Sequence, residues 1–163
     1  MIMNLETLKT RLEWAEGREH KPYKCSSGKW SIGLGRNLED IGLSLDEILL
    51  ILRDGVSDEI IDCLAENDIE RTLVDCRSFP YWERLTDTRR VVVADCIYNM
   101  GLSVWKKFVK TNAALSRGDW QKASAELLDS TYARQVGRRA VANAFALRHD
   151  RFPTNEELWM LME

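Results

Sequence analysis

One segment near the N-terminus, residues 21–38, is the only part of this chain with a strand-like pattern. Short alternating pieces there are separated by turn residues, which predicts a small antiparallel hairpin or three short strands, with Gly28 at the turn. The chain after this segment has the apolar spacing of helices. The sequence therefore predicts an α+β fold in the order helix, small β-lobe, long linking helix, helical lobe.

The helices next to the β-segment have recognisable ends. Asn4 is positioned to cap a first helix, which stops at Gly17. Ser44 and Glu47 have the spacing of a capping box, which opens an apolar-rich helix expected to run through Gly55 to about residue 65. This long helix is predicted to link the two lobes.

The rest of the chain is predicted to be helical. A short helix is expected at residues 69–76, and another begins in residues 78–82. Thr86 or Asp87 caps a strongly apolar helix that ends at Gly101, and this helix should lie in the middle of the helical lobe. Further helices are expected at residues 106–115, 119–128, 138–149 and 155–162.

The length of 163 residues fits one domain, and a hydrophobic content of 45% supports a substantial core. We predict a single domain over residues 1–163, with a small β-containing lobe at residues 15–60 and a larger helical lobe from residues 1–14 and 61–163. No run approaches the ~18 consecutive apolar residues of a membrane span. The N-terminus lacks the pattern of a signal peptide, so we expect a protein made in a cytoplasm without stable membrane insertion.

Cysteine spacing and charge limit the function classes. The four cysteines are scattered and the chain has two His, so the sequence predicts no metal site, and thiols in a reducing cytoplasm. Acidic residues dominate residues 36–76, and basic residues dominate residues 86–151. The basic half suits an anionic polymer such as nucleic acid or bacterial cell wall, although solvated helix faces would give the same pattern.

The residues with the most chemical content lie between Trp14 and Gly35. Glu16 is a carboxylate at the predicted end of the first helix, and Cys25 and Ser31 place a thiol and a hydroxyl on the predicted hairpin. Glycoside hydrolysis needs a carboxylic acid to protonate the leaving oxygen and a second group to position water or act as nucleophile. Each residue also has a structural alternative: a solvated carboxylate, a small buried hydrophobe and a strand-face hydroxyl.

Four segments in this order resemble the phage-type lysozymes, the endolysins of tailed bacteriophages. The spacing of Glu16, Cys25 and Ser31 is similar to that family's catalytic pattern of Glu, eight residues, Asp or Cys, five residues, Thr. The other matching segments are the apolar central helix in residues 88–101, the aromatic Phe108 that follows it, and the arginine-rich residues 138–140. The resemblance covers roughly residues 5–152.

The resemblance implies a lysozyme-like α+β fold and a role for each site residue. Glu16 would be the general acid, Cys25 and Ser31 would hold the attacking water, and Arg139 or its neighbour Arg138 would pair with Glu16. Further candidates for lining the substrate site are Tyr23, Trp30 and Asn99.

The resemblance also implies the reaction, which is hydrolysis of the β-1,4 bond between N-acetylmuramic acid and N-acetylglucosamine in bacterial peptidoglycan. The enzyme is expected to be a monomer that uses no metal or cofactor and binds no nucleic acid. It would wait in the host cytoplasm until a separate pore protein, a holin, releases it to the periplasm and cell wall for host lysis.

The sequence departs from the most familiar family pattern at its site. Cys25 replaces Asp, Ser31 replaces Thr, Arg36 stands where His is common, and residues 36–44 are shortened. Two alternatives therefore stay open: a lytic transglycosylase that uses Glu16 alone, and an inert lysozyme-like module that binds peptidoglycan or a protein. A nucleic-acid-binding helical domain would leave the hairpin motif unexplained.

Overall fold

The structure is a computed structural model in which residues 5–25 and 28–163 are described. The described residues form ten α-helices, one short 3₁₀ helix and a three-stranded antiparallel sheet, which confirms the predicted α+β fold. They divide into two compact units, Leu5–Arg71 and Thr72–Glu163. The predicted assignment of residues 15–60 to one lobe stays a prediction.

The N-terminal unit begins with helix α1 (Leu5–Glu16), in which Leu8 and Leu12 are fully buried. The helix ends where the sequence predicts, because Gly17 adopts a φ of 74° that residues with side chains rarely adopt. The predicted cap, Asn4, lies outside the described residues.

A three-stranded sheet follows α1, as predicted. Its strands, in spatial order, are β1 (Glu19–Lys24), β2 (Trp30–Gly33) and β3 (Arg36–Asn37). Tyr23 pairs with Ser31 across β1 and β2, and Ser31 pairs with Asn37 across β2 and β3. Gly28 lies in the turn between β1 and β2, where its N–H donates to the Cys25 carbonyl at 2.8 Å.

Two helices occupy the stretch for which one long helix was predicted. They are α2 (Leu45–Asp54) and α3 (Asp58–Arg77). The capping box is confirmed, because the Ser44 hydroxyl accepts from the Glu47 N–H and the Glu47 carboxylate accepts from the Ser44 N–H. The prediction of one helix through Gly55 was wrong: Gly55 adopts a φ of 71° and its N–H closes α2 on the Ile51 carbonyl. The long helix is α3, which includes the short helix predicted at residues 69–76.

The core of the N-terminal unit joins the sheet to α3. Ile32 of β2 packs with Ile60 and Leu64 of α3, and Leu34 packs with Ile61 beside them. Partly buried side chains that pack against these clusters are Leu38, Leu43, Leu50, Ile51 and Val56. These contacts fix the sheet, and the site residues on it, against a long helix.

The C-terminal unit is helical. After α3 its elements are a 3₁₀ helix (Trp82–Arg84), α4 (Asp87–Met100), α5 (Leu102–Trp105), α6 (Val109–Arg117), α7 (Trp120–Leu128), α8 (Thr131–Val136), α9 (Arg138–His149) and α10 (Asn155–Met160). Helix α4 is central as predicted, since every residue from Arg89 to Ile97 is buried, Thr86 caps it and Gly101 ends it.

The remaining sequence predictions for this unit differ in detail. The helix predicted at residues 138–149 is confirmed as α9, whereas the helix predicted at residues 106–115 begins at Val109. Helices α5 and α8 were not anticipated, and residues 78–82 lead into a single 3₁₀ turn instead of a longer helix. Within the described part of the chain, no helix combines the length and apolarity needed to cross a membrane.

Candidate active site

Glu16 is the last residue of α1, and its carboxyl group lies against the backbone of Gly35. A Cβ atom at position 35 would stand 3.1 Å from Glu16 Oε2 and 3.2 Å from Glu16 Cδ. Gly35 also has a φ of 79°, which L side chains rarely adopt. The loop between β2 and β3 therefore favours glycine at position 35 for two reasons, and its backbone lies directly beside the Glu16 carboxyl group.

Tyr23 of β1 interacts electrostatically with both Glu16 and Cys25, which are two of the predicted catalytic residues. Burial raises the pKa of Tyr23 to about 12, and Coulombic interactions with Glu16, Glu19 and Cys25 add to the shift. Interactions of this kind act between groups that lie close together. Glu16, Tyr23 and Cys25 therefore share one electrostatic environment within the N-terminal unit.

The hairpin of β1 and β2 holds both Cys25 and Ser31. The Cys25 N–H donates to the Lys29 carbonyl at 3.0 Å, which extends the strand pairing toward the turn. Ser31 stands directly opposite Tyr23, so the two side chains project from the same face of the sheet. Ser31 exposes only 2% of its surface, so a water held by its hydroxyl would be an enclosed one. The catalytic roles of Cys25 and Ser31 stay predictions.

Trp30 lies on the other face of the same strand, because successive side chains of a strand alternate. It pairs with Lys24, whose Nζ stands 5.2 Å from the Trp30 ring centroid, and it is 45% exposed. Tyr23 and Trp30 therefore do not line a common face of the sheet. A substrate role for Trp30 stays a prediction, and Tyr23 is the aromatic residue that shares a face with Ser31.

The turn after β3 is tied to the hairpin by side chains that sequence reasoning missed. Asn37 Oδ1 accepts from the N–H groups of Glu39 at 2.9 Å and Asp40 at 3.0 Å. Asp40 also binds Lys29 at 2.5 Å, and the Glu39 carboxylate accepts from the Trp30 N–H at 2.9 Å. An Asn side chain often accepts from the backbone N–H two residues on, and this turn preference of Asn37 is the signal that would have indicated the feature.

Arg36 forms a buried ion cluster that the sequence pattern did not reveal. It exposes 2% of its surface, and its guanidinium donates to Asp68 at 2.6 Å and to Glu47 at 3.0 and 3.2 Å. It also donates to the carbonyls of Leu64 at 2.9 Å and Gly42 at 3.2 Å. One side chain therefore ties β3 to α2, α3 and the loop before α2.

Charge pairing in this cluster outweighs the cost of burial for the Glu47 carboxylate. Burial alone would raise the pKa of Glu47, but hydrogen bonds from Arg36, the Ser44 backbone and Asn67 bring it down to about 2. The same pairing raises the pKa of Arg36 although burial opposes the shift. Both groups are therefore ionised at neutral pH.

In the C-terminal unit, Arg139 is held by a carboxylate of α4. Arg139 Nε and Nη2 each donate to the Asp95 carboxylate at 3.0 Å, and Asn143 Nδ2 donates to it at 2.6 Å. Arg139 is 5% exposed, and Asp95 is fully buried. This pairing, which sequence reasoning missed, fixes the first turn of α9 to α4.

The other predicted residues of the C-terminal unit are exposed. Arg138 is the first residue of α9, and Asn99 lies in the last turn of α4. The predicted ion pair between Glu16 and Arg139 or Arg138 joins residues of the two units and stays a prediction.

Metal-binding potential and cysteine burial can be compared across the described residues. Among residues 5–25 and 28–163, no group of three His, Cys, Asp or Glu side chains is arranged to hold a metal ion. Cys76 and Cys96 are buried, and burial raises the pKa of both thiols. Cys25 and Cys63 are half-buried, so thiol chemistry in the described residues is expected at these two positions.

A helix that ends in a carboxylate, a short antiparallel sheet and a helical unit built around one buried helix define a lysozyme-like α+β protein. The family model for phage lysozyme matches residues 13–149, and the chain belongs to that family. Two relatives from Dictyostelium discoideum, "Probable T4-type lysozyme 1" and "Probable T4-type lysozyme 2", are each 23% identical over 153 and 154 residues. Each alignment covers 83% of this chain and 90% of the relative. Family membership supports a lysozyme-like function that acts on peptidoglycan.

Proposed function

We propose that this protein is a muramidase that hydrolyses the β-1,4 bond between N-acetylmuramic acid and N-acetylglucosamine in bacterial peptidoglycan. The observation that carries the proposal is the position of the Glu16 carboxyl group, which lies against Gly35 at the end of α1. It shares an electrostatic environment with Tyr23 and Cys25. A carboxylic acid beside a sheet that carries a thiol and a hydroxyl fits the general acid that glycosidic bond cleavage requires.

In the proposed mechanism, Glu16 donates its proton to the leaving glycosidic oxygen as the sugar ring gains oxocarbenium character. Water held by Cys25 and Ser31 then attacks the anomeric carbon. The attacking water loses its proton to solvent, and the Glu16 carboxylate regains a proton from solvent. Because the second group acts through water, the anomeric configuration is inverted. No metal or cofactor is required.

The biological role that fits this reaction is host lysis in bacteriophage infection. The enzyme would accumulate in the host cytoplasm and reach the periplasm and cell wall through the pore of a holin. The ground for this role is the resemblance of the Glu16, Cys25 and Ser31 pattern to phage endolysins, whereas family membership supports the coarser function on peptidoglycan.

The test is a digest of purified Gram-negative peptidoglycan with mass analysis of the soluble fragments. Fragments with free reducing ends would support a muramidase. Fragments lighter by one water would identify a lytic transglycosylase, a candidate favoured by the thiol at position 25 where a carboxylate is familiar. The absence of fragments from folded protein would refute both enzymes and leave a wall-binding or protein-binding module.

Replacing Gly35 with alanine is expected to lower muramidase activity by about 10²-fold, because the new methyl group displaces the Glu16 carboxyl group. The positive φ adds strain of about 1–3 kcal/mol. Gly55→Ala is the matched control, since Gly55 has a φ of 71° but no atom within 4 Å of a Cβ there. Equal activity losses in the two variants, compared at equal folded fraction, would mean that the contact with Glu16 is unimportant.

Replacing Cys25 with alanine is expected to reduce the hydrolysis rate by roughly 10²-fold, since the site loses a polar group that holds water. Cys25→Asp should keep or exceed the original rate, because a carboxylate binds and activates water more strongly than a neutral thiol. Cys63→Ala, at the other half-buried cysteine, is the control and should be fully active. Full activity of Cys25→Ala would remove this residue from the mechanism.

A further inference from the structure

Helix α2 is apolar on two opposite sides. Its inner side chains Leu50 and Ile51 pack against the core cluster of the N-terminal unit. Four outer side chains, here called the α2 stripe, are exposed: Leu45 by 70%, Ile48 by 39%, Leu49 by 55% and Leu52 by 76%. Their successive spacings of three, one and three residues place them on one face of the helix. An exposed apolar stripe on a helix usually marks a contact surface.

One edge of the α2 stripe carries opposite charges at its two ends. Asp46 lies in the first turn of α2 and Arg53 in the last, seven residues apart and therefore on the same side of the helix. Together with Leu49 and Leu50 they line an open surface depression of ≈ 320 Å³. Arg53 contacts Asp54 at 2.5 Å, but its five donors leave room for a second carboxylate.

We propose that the α2 stripe is a self-association surface, on which α2 of a second copy packs antiparallel about a two-fold axis. Such an axis reverses the direction of α2 in the second copy. It also places the charged edges of the two helices on the same side of the helix pair. Asp46 of each copy then lies beside Arg53 of the other, so one self-complementary contact forms two ion pairs. The four apolar side chains of each stripe are buried between the helices.

The chemistry of the α2 stripe favours a second copy over other occupants. The exposed charges of α2 are Asp46, Arg53 and Asp54, which sum to a negative value that opposes anionic lipid headgroups. The stripe has no aromatic side chain on which a sugar ring could stack. A second copy supplies both the apolar surface and the complementary charges.

The dimer is expected to be weak. A helix of ten residues is about 15 Å long, so the contact lies near the lower limit of specific interfaces, roughly 1,000 Å² in total. We expect a dissociation constant on the order of 10–100 μM, with monomers at lower concentrations. This inference replaces the monomer that the family resemblance implies with a monomer–dimer equilibrium, and it does not depend on the proposed enzymatic function.

The test uses two charge-reversal variants of the full chain, Asp46→Arg and Arg53→Asp, in sedimentation equilibrium at about 10 μM to about 1 mM. Each variant alone carries like charges at both ends of the edge and should associate at least about 10-fold more weakly than the unaltered protein. An equimolar mixture should form a heterodimer, because arginines in one variant then face aspartates in the other. Leu49→Gln, which removes apolar surface at an exposed position, should also weaken association.

Two controls keep the test specific. Arg134→Asp reverses an exposed arginine of α8 and should leave association unchanged, and thermal unfolding should give similar midpoints for all variants. The proposal is overturned if the unaltered protein stays monomeric throughout the concentration range or if the mixture associates no better than its components. Binding of phosphatidylglycerol vesicles without self-association, abolished by Leu49→Gln, would overturn it in favour of a lipid surface.

Discussion

Glu16→Gln protein is expected to hydrolyse peptidoglycan roughly 10²–10⁴-fold more slowly than the unaltered protein, because glutamine keeps the shape of the side chain but cannot donate the proton. The loss should appear in the rate at saturating peptidoglycan. Glu19→Gln, at the start of β1, is the matched control, since Glu19 also acts on the pKa of Tyr23 but is exposed. A Glu16→Gln rate within a few-fold of normal would contradict general acid catalysis by this residue.

The same variant has a readout that does not depend on activity. The negative charge of Glu16 disfavours the tyrosinate form of Tyr23, so removing it should lower the Tyr23 pKa from about 12. Burial is the larger cause of the shift, so the pKa should stay above its ordinary value. NMR titration of the labelled Tyr23 ring would measure the change. No change in this pKa would mean that Glu16 is not held near Tyr23.

The sequence correctly predicted the helix ends that depend on residues close to them in the chain. The stop of α1 at Gly17, the capping box of α2 and the cap of α4 each depend on residues within a few positions of the element end. The prediction of one helix through Gly55 was wrong, because apolar spacing continues on both sides of this glycine and a single glycine is tolerated inside many helices.

Contacts between distant residues set the parts of the site that the sequence did not reveal. Glu16 and Gly35 meet through a loop, and the motif marked both residues without showing that they touch. The Asp95 partner of Arg139 is separated from it by 44 positions. The resemblance supplied the catalytic pattern, whereas its supporting contacts required the fold.

Arg36→Ala is expected to lower the free energy of unfolding by about 3–5 kcal/mol, because the carboxylates of Glu47 and Asp68 stay buried after their common cation is removed. Arg36 and Glu47 expose 2% and 4% of their surfaces, so water cannot replace the lost pairing without opening the unit. Urea unfolding monitored by tryptophan fluorescence would measure the change.

The pH dependence of this loss follows from the pKa of Glu47. Its folded-state pKa is lowered from 4.5 to about 2, so its stabilising contribution is present above about pH 4.5 and is lost as the pH falls toward 2. In Arg36→Ala protein, burial without the guanidinium should raise the Glu47 pKa, so protonation then stabilises the fold. The stability difference between the two proteins should therefore shrink between about pH 7 and about pH 3.

Arg71→Ala is the matched control, since Arg71 binds the same Asp68 carboxylate from the surface, with 52% of its side chain exposed. Its removal should cost less than about 1 kcal/mol, because solvent screens the pair and replaces the lost contact. Equal losses for Arg36→Ala and Arg71→Ala would mean that burial gives Arg36 no special role. A difference that grows toward low pH would contradict the assigned pairing with Glu47. Arg36 would then stabilise the β-sheet by packing instead of charge.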